Sequence, residues 1–83
     1  MNRVEFIDEI AKCKGISHEK AYQAVNAVMD TIRLVLMKGE EIEIGGFGTF
    51  GMVIDLKGER IPVFSPAQPL KHVLNSIQKE ERD

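Results

Sequence analysis

An α+β fold with the element order α-α-β-β-β-α is predicted by three observations in this 83-residue chain. The first 39 residues carry two successive patterns of apolar residues at helical spacing. Two alternating stretches, Glu41-Ile42-Glu43-Ile44 and Phe50-Gly51-Met52-Val53-Ile54, then flank the bend Gly46-Phe47-Gly48-Thr49. A last helical pattern follows Phe64. A period of 3.6 marks amphipathic helices and a period of 2 marks strands.

The first helix opens on Asn2, with Glu5 three residues on, the signature of a capping box. Phe6, Ile7, Ile10 and Ala11 form its apolar stripe, and Gly15-Ile16 reads as the glycine stop with its apolar closing contact. Ser17 caps the second helix, although Lys20 stands where the acid of a capping box belongs. This helix should run from Ser17 to Lys38 and close on Gly39. Its polar stripe is narrow: Glu19, Gln23, Asn26, Asp30 and Arg33. A helix that is apolar around most of its girth is covered on more than one side. One side is expected to pack on the first helix and the strands, the other on a second subunit.

In the first strand Ile42 and Ile44 point one way, Glu41 and Glu43 the other. Phe50, Met52 and Ile54 share a face of the second. Leu56-Lys57-Gly58-Glu59 is a hairpin tip, and Ile61-Pro62-Val63-Phe64 returns, with Pro62 tolerable only at an edge or bulge. Ser65 and Pro66 read as cap and first residue of the last helix, with Pro69 as the alternative start. Leu70, Val73, Leu74 and Ile77 form its apolar stripe, and residues 78–83 are polar.

These elements make one domain: a helical dimerisation part (1–39), a three-stranded sheet with a short hairpin (40–64), a C-terminal helix (65–79) and a polar tail (80–83). Although 43% of the residues are hydrophobic, a chain this short is marginal alone. Its single cysteine makes no internal disulfide, and no Cys/His cluster has zinc spacing. Dimerisation is therefore the expected source of stability, and the free monomer is expected not to fold stably. There is no signal-peptide pattern and no apolar run near membrane-spanning length, so a cytoplasmic location is expected and no membrane partner.

Formal charge is −2. Residues 40–60 hold five acids (Glu40, Glu41, Glu43, Asp55, Glu59) against Lys57 and Arg60, so the negative charge is concentrated in the predicted sheet. A protein that coats nucleic acid normally shows a basic excess.

Taken in order, Met1-Asn2-Arg3, Gly15-Ile16-Ser17, the long helix through Ala21, Val25 and Val28, Lys38-Gly39-Glu40, Gly46-Phe47-Gly48-Thr49-Phe50, and Phe64-Ser65-Pro66 with Leu70-Lys71 resemble the HU/IHF family of bacterial nucleoid DNA-bending proteins. The resemblance covers nearly the whole chain. It implies an intertwined homodimer, or a heterodimer with an HU-like protein, whose shared core takes Val25, Val28, Ile32, Leu36, Phe47 and Phe50. It also implies a sheet that forms a saddle for double-stranded DNA, with arms whose tip proline wedges between bases. The positions matching the family's DNA contacts are Arg3, Lys20, Gly46, Gly48, Lys57, Arg60 and Lys71. The glycine turn and the helix N-termini offer backbone N–H groups to phosphates.

Three departures stand out. Only 13 residues separate Phe50 from Phe64; about six residues each way reach only about 20 Å, too short to clasp a duplex. Glu41 and Glu43 would face phosphates across the saddle. Ser65, Ala67 and Gln68 stand where basic residues or glycine are common in the family. The expected function is a weak, sequence-nonspecific architectural DNA binder, nucleoid-associated and without arm intercalation. The alternative is a non-DNA-binding dimeric interaction module that pairs with or modulates another HU-like protein.

No enzyme reading has residues to carry it. His18 and His72 lie at no motif spacing, Cys13 reads as an inert boundary thiol, and no phosphate loop or Ser/His/Asp arrangement is present, so no cofactor, metal or small-molecule substrate is expected. A helix-turn-helix over residues 11–25 ranks below the HU-like reading, because its second helix lacks the polar face that reads base edges.

Overall fold

The computed structural model describes the backbone of residues 1–82 and the side chains of residues 1–76. Its elements are α1 (Arg3–Lys14), α2 (His18–Met37), β1 (Ile42–Ile44), β2 (Gly48–Ile54), β3 (Arg60–Pro66) and α3 (Gln68–Arg82), in the predicted order. The chain forms two compact units, Met1–Arg33 and Leu34–Asp83.

The first unit is a helical pair whose ends are built as the sequence predicts. The Asn2 side chain accepts from the Glu5 N–H at 2.9 Å, and the Glu5 carboxylate accepts from the Asn2 N–H at 3.1 Å. Together they satisfy two otherwise unpaired donors of the first turn. Asn2→Ala is expected to cost about 1 kcal/mol, read as a lower urea midpoint. Gly15, in the left-handed region, ends α1, and Ile16 donates to the Ala11 carbonyl at 3.1 Å. Ser17 Oγ then accepts from the Lys20 N–H at 3.1 Å and caps α2.

Ile7, Ala21 and Val25 are the buried core of this unit, flanked by Ile10, Ala11 and Ile16. Phe6 is exposed instead of joining this core. Two helices meet along one seam, and Ile7 and Ile10 already fill it. Phe6 lines an open groove of about 310 Å³ with Met1, Arg3, Val25 and Met29. Val28 is left 53% exposed.

The second unit is an antiparallel sheet of order β1-β2-β3, followed by α3. Ile42 pairs with Phe50, Glu43 with Thr49 and Ile44 with Gly48. Phe50 pairs with Phe64, Gly51 with Val63, Met52 with Pro62 and Val53 with Ile61. One face therefore carries Ile42, Ile44, Phe50, Met52, Pro62 and Phe64. The other carries Glu43, Thr49, Gly51, Val53, Ile61, Val63 and Ser65.

At the hairpin tip the Gly58 N–H donates to the Asp55 carbonyl at 3.0 Å and the Asp55 N–H to the Glu59 carbonyl at 2.9 Å. Hydrogen-bonded pairs then recur at every second residue from that closing bond: Val53–Ile61, Gly51–Val63 and Thr49–Ser65. Pro62 and Pro66 fall between them, with their nitrogens on the outer edge of β3. Neither proline costs a ladder bond, and both deny a donor to any strand approaching that edge.

The expected cap at Ser65 and helix start at Pro66 are corrected. Both residues are the end of β3, paired with Thr49 and Gly48. The Ala67 N–H donates to the Phe47 carbonyl at 2.9 Å, and Ala67 O accepts the first helical bond, from Lys71, at 3.2 Å. Pro69 sits comfortably in this first turn, because its missing N–H would have had no helical partner there. The helix continues through Arg82, beyond the expected end at residue 79. Leu70 is half-buried, whereas Val73 and Leu74 are exposed rather than buried. The side chain of Ile77, the last of the expected stripe, and the polar residues 78–83 lie outside the described side chains.

Candidate nucleic-acid interface

The candidate site is built around the reversal from β1 to β2. The Phe47 N–H donates to the Ile44 carbonyl at 3.0 Å, closing a turn in which Gly46 has φ 80°. A residue with a Cβ rarely adopts that conformation, so glycine is required here. Among the described residues, the N–H groups of Gly45 and Gly46 meet no backbone acceptor in this turn.

Gly48 is glycine for a different reason. It is buried, and a Cβ there would lie 2.5 Å from the Phe64 ring and 2.6 Å from the Ser65 carbonyl oxygen. Phe64 in turn packs against Phe47 and Phe50, with ring centroids 5.4 and 4.8 Å apart and tilted planes. The glycine turn is thus locked onto an aromatic trio. It leads through the bond between Ala67 and Phe47 to the N-terminus of α3.

Between the turn and that N-terminus lies an open groove of about 290 Å³, lined among others by Gly45, Gly46, Thr49, Ser65 and Ala67. Asn2 and Ser17 cap their helices, but Ala67 has no side-chain acceptor. The first-turn donors of α3 are left to solvent or an external anion. Hydroxyls of Thr49 and Ser65 add further donors. Glu43, on the same rim, opposes an anion.

The sequence-predicted contacts fall in different places. Gly46 lines this groove with its backbone exposed. Gly48 also lines it, but its main contact is with Phe64. Lys71 lies in the first turn of α3 and is exposed. Lys57 and Arg60 sit at the opposite end of the hairpin. Arg60 pairs with Ile54, which puts it on the phenylalanine face by parity. In the helical unit, Arg3 donates to the Asn26 side chain and ties the start of α1 to α2. Lys20 is an exposed first-turn residue of α2.

Asp55 is a structural residue that sequence reasoning missed. Its carboxylate accepts from the N–H groups of Lys57 at 2.8 Å and Glu59 at 2.9 Å, fixing the tip. An aspartate opening a glycine-containing turn was the available signal.

Of the expected shared-core residues, Val25 is already buried against its own chain and Val28 is open. Ile32, Leu36 and Phe50 are half-buried, and Phe47 is exposed. His18 and Asp8 make an exposed 3.5 Å pair. Among the described residues no group of three metal-ligating side chains occurs, and no helix is long and apolar enough to cross a membrane.

Comparison with known proteins matches residues 1–55 to the family model described as bacterial DNA-binding protein, ending where the hairpin tip begins. The SPbeta prophage-derived DNA-binding protein HU 2 of Bacillus subtilis is 33% identical over 91 aligned positions, covering 92% of this chain and 99% of its own length. Those 91 positions exceed the chain's 83 residues, so that relative carries segments missing here. Integration host factor subunit alpha of an Anaeromyxobacter species is 31% identical, over 98% of this chain and 85% of its own. A solved HU variant from Thermotoga maritima superposes with TM-score 0.79 at 34% identity, covering 89% of this chain and 99% of that one. The chain therefore belongs to the HU/IHF family of bacterial DNA-binding architectural proteins.

Proposed function

We propose that this protein is a homodimeric, nucleoid-associated, non-enzymatic architectural protein that binds double-stranded DNA weakly and without sequence preference. The observation that carries this reading is the groove of free backbone donors between Gly45-Gly46 and the uncapped N-terminus of α3, in a chain of this family. Such donors hold phosphates and ignore bases. Lys71 in the first turn of α3, Lys57 and Arg60 at the tip, and Arg3 and Lys20 at the helix starts add phosphate contacts. Gly48 serves by letting Phe64 close the turn.

The short hairpin supports binding without intercalation. β2 and β3 have seven residues each, about 23 Å of reach, and their tip carries no proline. Dimerisation is supported by the apolar side chains that one chain leaves open, Val28 and Phe47 among them. The unfolding midpoint should therefore rise with protein concentration. An unchanged midpoint together with a monomeric mass at micromolar concentration would overturn the dimer.

An electrophoretic mobility shift on short duplexes of unrelated sequence tests the DNA reading. Binding is expected at low salt, falling steeply as salt rises. Lys57→Glu, Arg60→Glu and Lys71→Glu together should lower the salt slope by about 0.9 for each phosphate that is no longer neutralised. No shift at about 50 mM salt with micromolar protein would defeat it, given the affinity expected of even nonspecific binding. Glu41 and Glu43 on the sheet favour a second reading, a dimeric module that pairs with another HU-like protein. That reading gains if DNA binding fails while the dimer forms.

A further inference from the structure

The donor groove opens at one end of the sheet face opposite the phenylalanines, since Glu43, Thr49 and Ser65 belong to both. Along the strands from there the face changes character. Gly51 pairs with Val63 and Val53 with Ile61. Val53, Ile61 and Val63 therefore follow one another on it, 50%, 40% and 37% exposed. From Thr49 to Val53 is about 13 Å of strand. Among the described residues, no lysine or arginine occupies a strand position of this face: Arg60, the one strand cation, falls on the other by parity.

A duplex held by a phosphate in the groove covers this strip, because the strip is shorter than a duplex is broad. The strip offers it neither charge nor donor, only C–H surface. The sugar is the part of the backbone that differs between nucleic acids. Deoxyribose carries only C–H at its 2′ position, whereas A-form RNA displays 2′-hydroxyls on a wide, shallow minor groove. A hydroxyl pressed onto valine and isoleucine loses its water partners and gains no hydrogen bond, which costs free energy. The Glu41 carboxylate, 3.2 Å from where a Gly51 Cβ would be, borders the strip, and Glu43 stands beside Thr49. Both repel DNA and RNA phosphates alike, so they lower the two affinities and leave their ratio to the strip.

We propose that Val53, Ile61 and Val63 make this protein select DNA duplexes over RNA duplexes, by excluding the ribose 2′-hydroxyl from the sheet face. The selection rests on the reading that the donor groove holds backbone phosphates. It is independent of base sequence. Apolar contact releases no counterions, so it leaves the salt slope unchanged.

The test is fluorescence anisotropy with DNA and RNA duplexes of the same length and sequence, across a salt series. The wild-type protein is expected to bind DNA about tenfold more tightly, the discrimination that a few unpaired hydroxyls supply. Val53→Thr with Val63→Thr keeps both side chains branched and adds hydroxyls that can pair with ribose. It should narrow the ratio severalfold at an unchanged salt slope and thermal midpoint. In isotope-labelled wild-type protein, the amides of Val53, Ile61 and Val63 should shift on adding DNA, a readout that needs no variant. The proposal is overturned if the wild-type protein binds both duplexes equally, if the ratio survives the double threonine change, or if it moves only together with the slope. It also falls if DNA leaves those amides unmoved. Failure of both duplexes to bind at about 50 mM salt defeats the phosphate reading itself and the selection with it. Equal binding of the two removes only the selection.

Discussion

Phe64→Ala is expected to abolish cooperative folding at micromolar concentration. The Phe64 ring lies against Phe47 and Phe50 and fills the space that Gly48 leaves. Removing a buried phenylalanine costs about 3–5 kcal/mol. A domain has only about 5–15 kcal/mol in total, and small ones sit at the low end. Phe64 is 40% exposed in a single chain, so the full loss applies only if a second chain completes its burial. The size of the effect is thus diagnostic. A loss of about 1–2 kcal/mol fits a ring that stays half-open, whereas collapse fits a ring inside a dimer core. Urea unfolding followed by far-UV circular dichroism measures it. Gly48→Ala is the matched control from the other side of the contact. Its methyl would meet both a ring and a backbone carbonyl, and the latter cannot rotate away. Overpacking of this kind costs about 1–3 kcal/mol. If Gly48→Ala unfolds at the wild-type midpoint, the close approach of Phe64 is wrong.

Replacing Glu41 and Glu43 together by lysine is expected to strengthen DNA binding. The double change moves the charge of each chain by +4. It turns the border of the exposed sheet face from repelling phosphate to attracting it. Each additional phosphate neutralised strengthens binding on the order of tenfold at about 50 mM salt and steepens the salt dependence by about 0.9. Fluorescence anisotropy with a labelled duplex across a salt series separates the two effects. A steeper slope with tighter binding means that DNA reaches this face once the carboxylates are gone. Unchanged affinity and slope would mean that DNA never approaches it.

The helix ends were legible because their causes are local. Asn2 with Glu5, Gly15 and Ser17 act within three or four residues, and the structure places each in its expected role. The strand faces were equally legible, since side-chain alternation needs no knowledge of the partner strand. The short hairpin was legible from a count of residues. Gly46 could be assigned to a turn for the same reason as the helix ends.

The start of α3 was not. Ser65-Pro66 has the chemistry of a helix start, yet two more residues of β3 pairing and the bond from Ala67 to Phe47 outweigh it. Both contacts join residues about twenty positions apart, and no local pattern reports them. Gly48 has the local chemistry of a donor to phosphate, whereas its structural reason is a ring from another strand. Phe6 has the spacing of a core residue, but a single helix seam is filled before it is reached.

The sequence alone determined the order and type of the elements, the brevity of the hairpin and the acidic side of the sheet. These follow from backbone capping, periodicity and chain length. Only the tertiary structure decided which glycine makes room for Phe64, which residues line the donor groove, and that Val53, Ile61 and Val63 share a face with Glu41 and Glu43. Those facts depend on strand register, which long-range pairing fixes and local propensity does not.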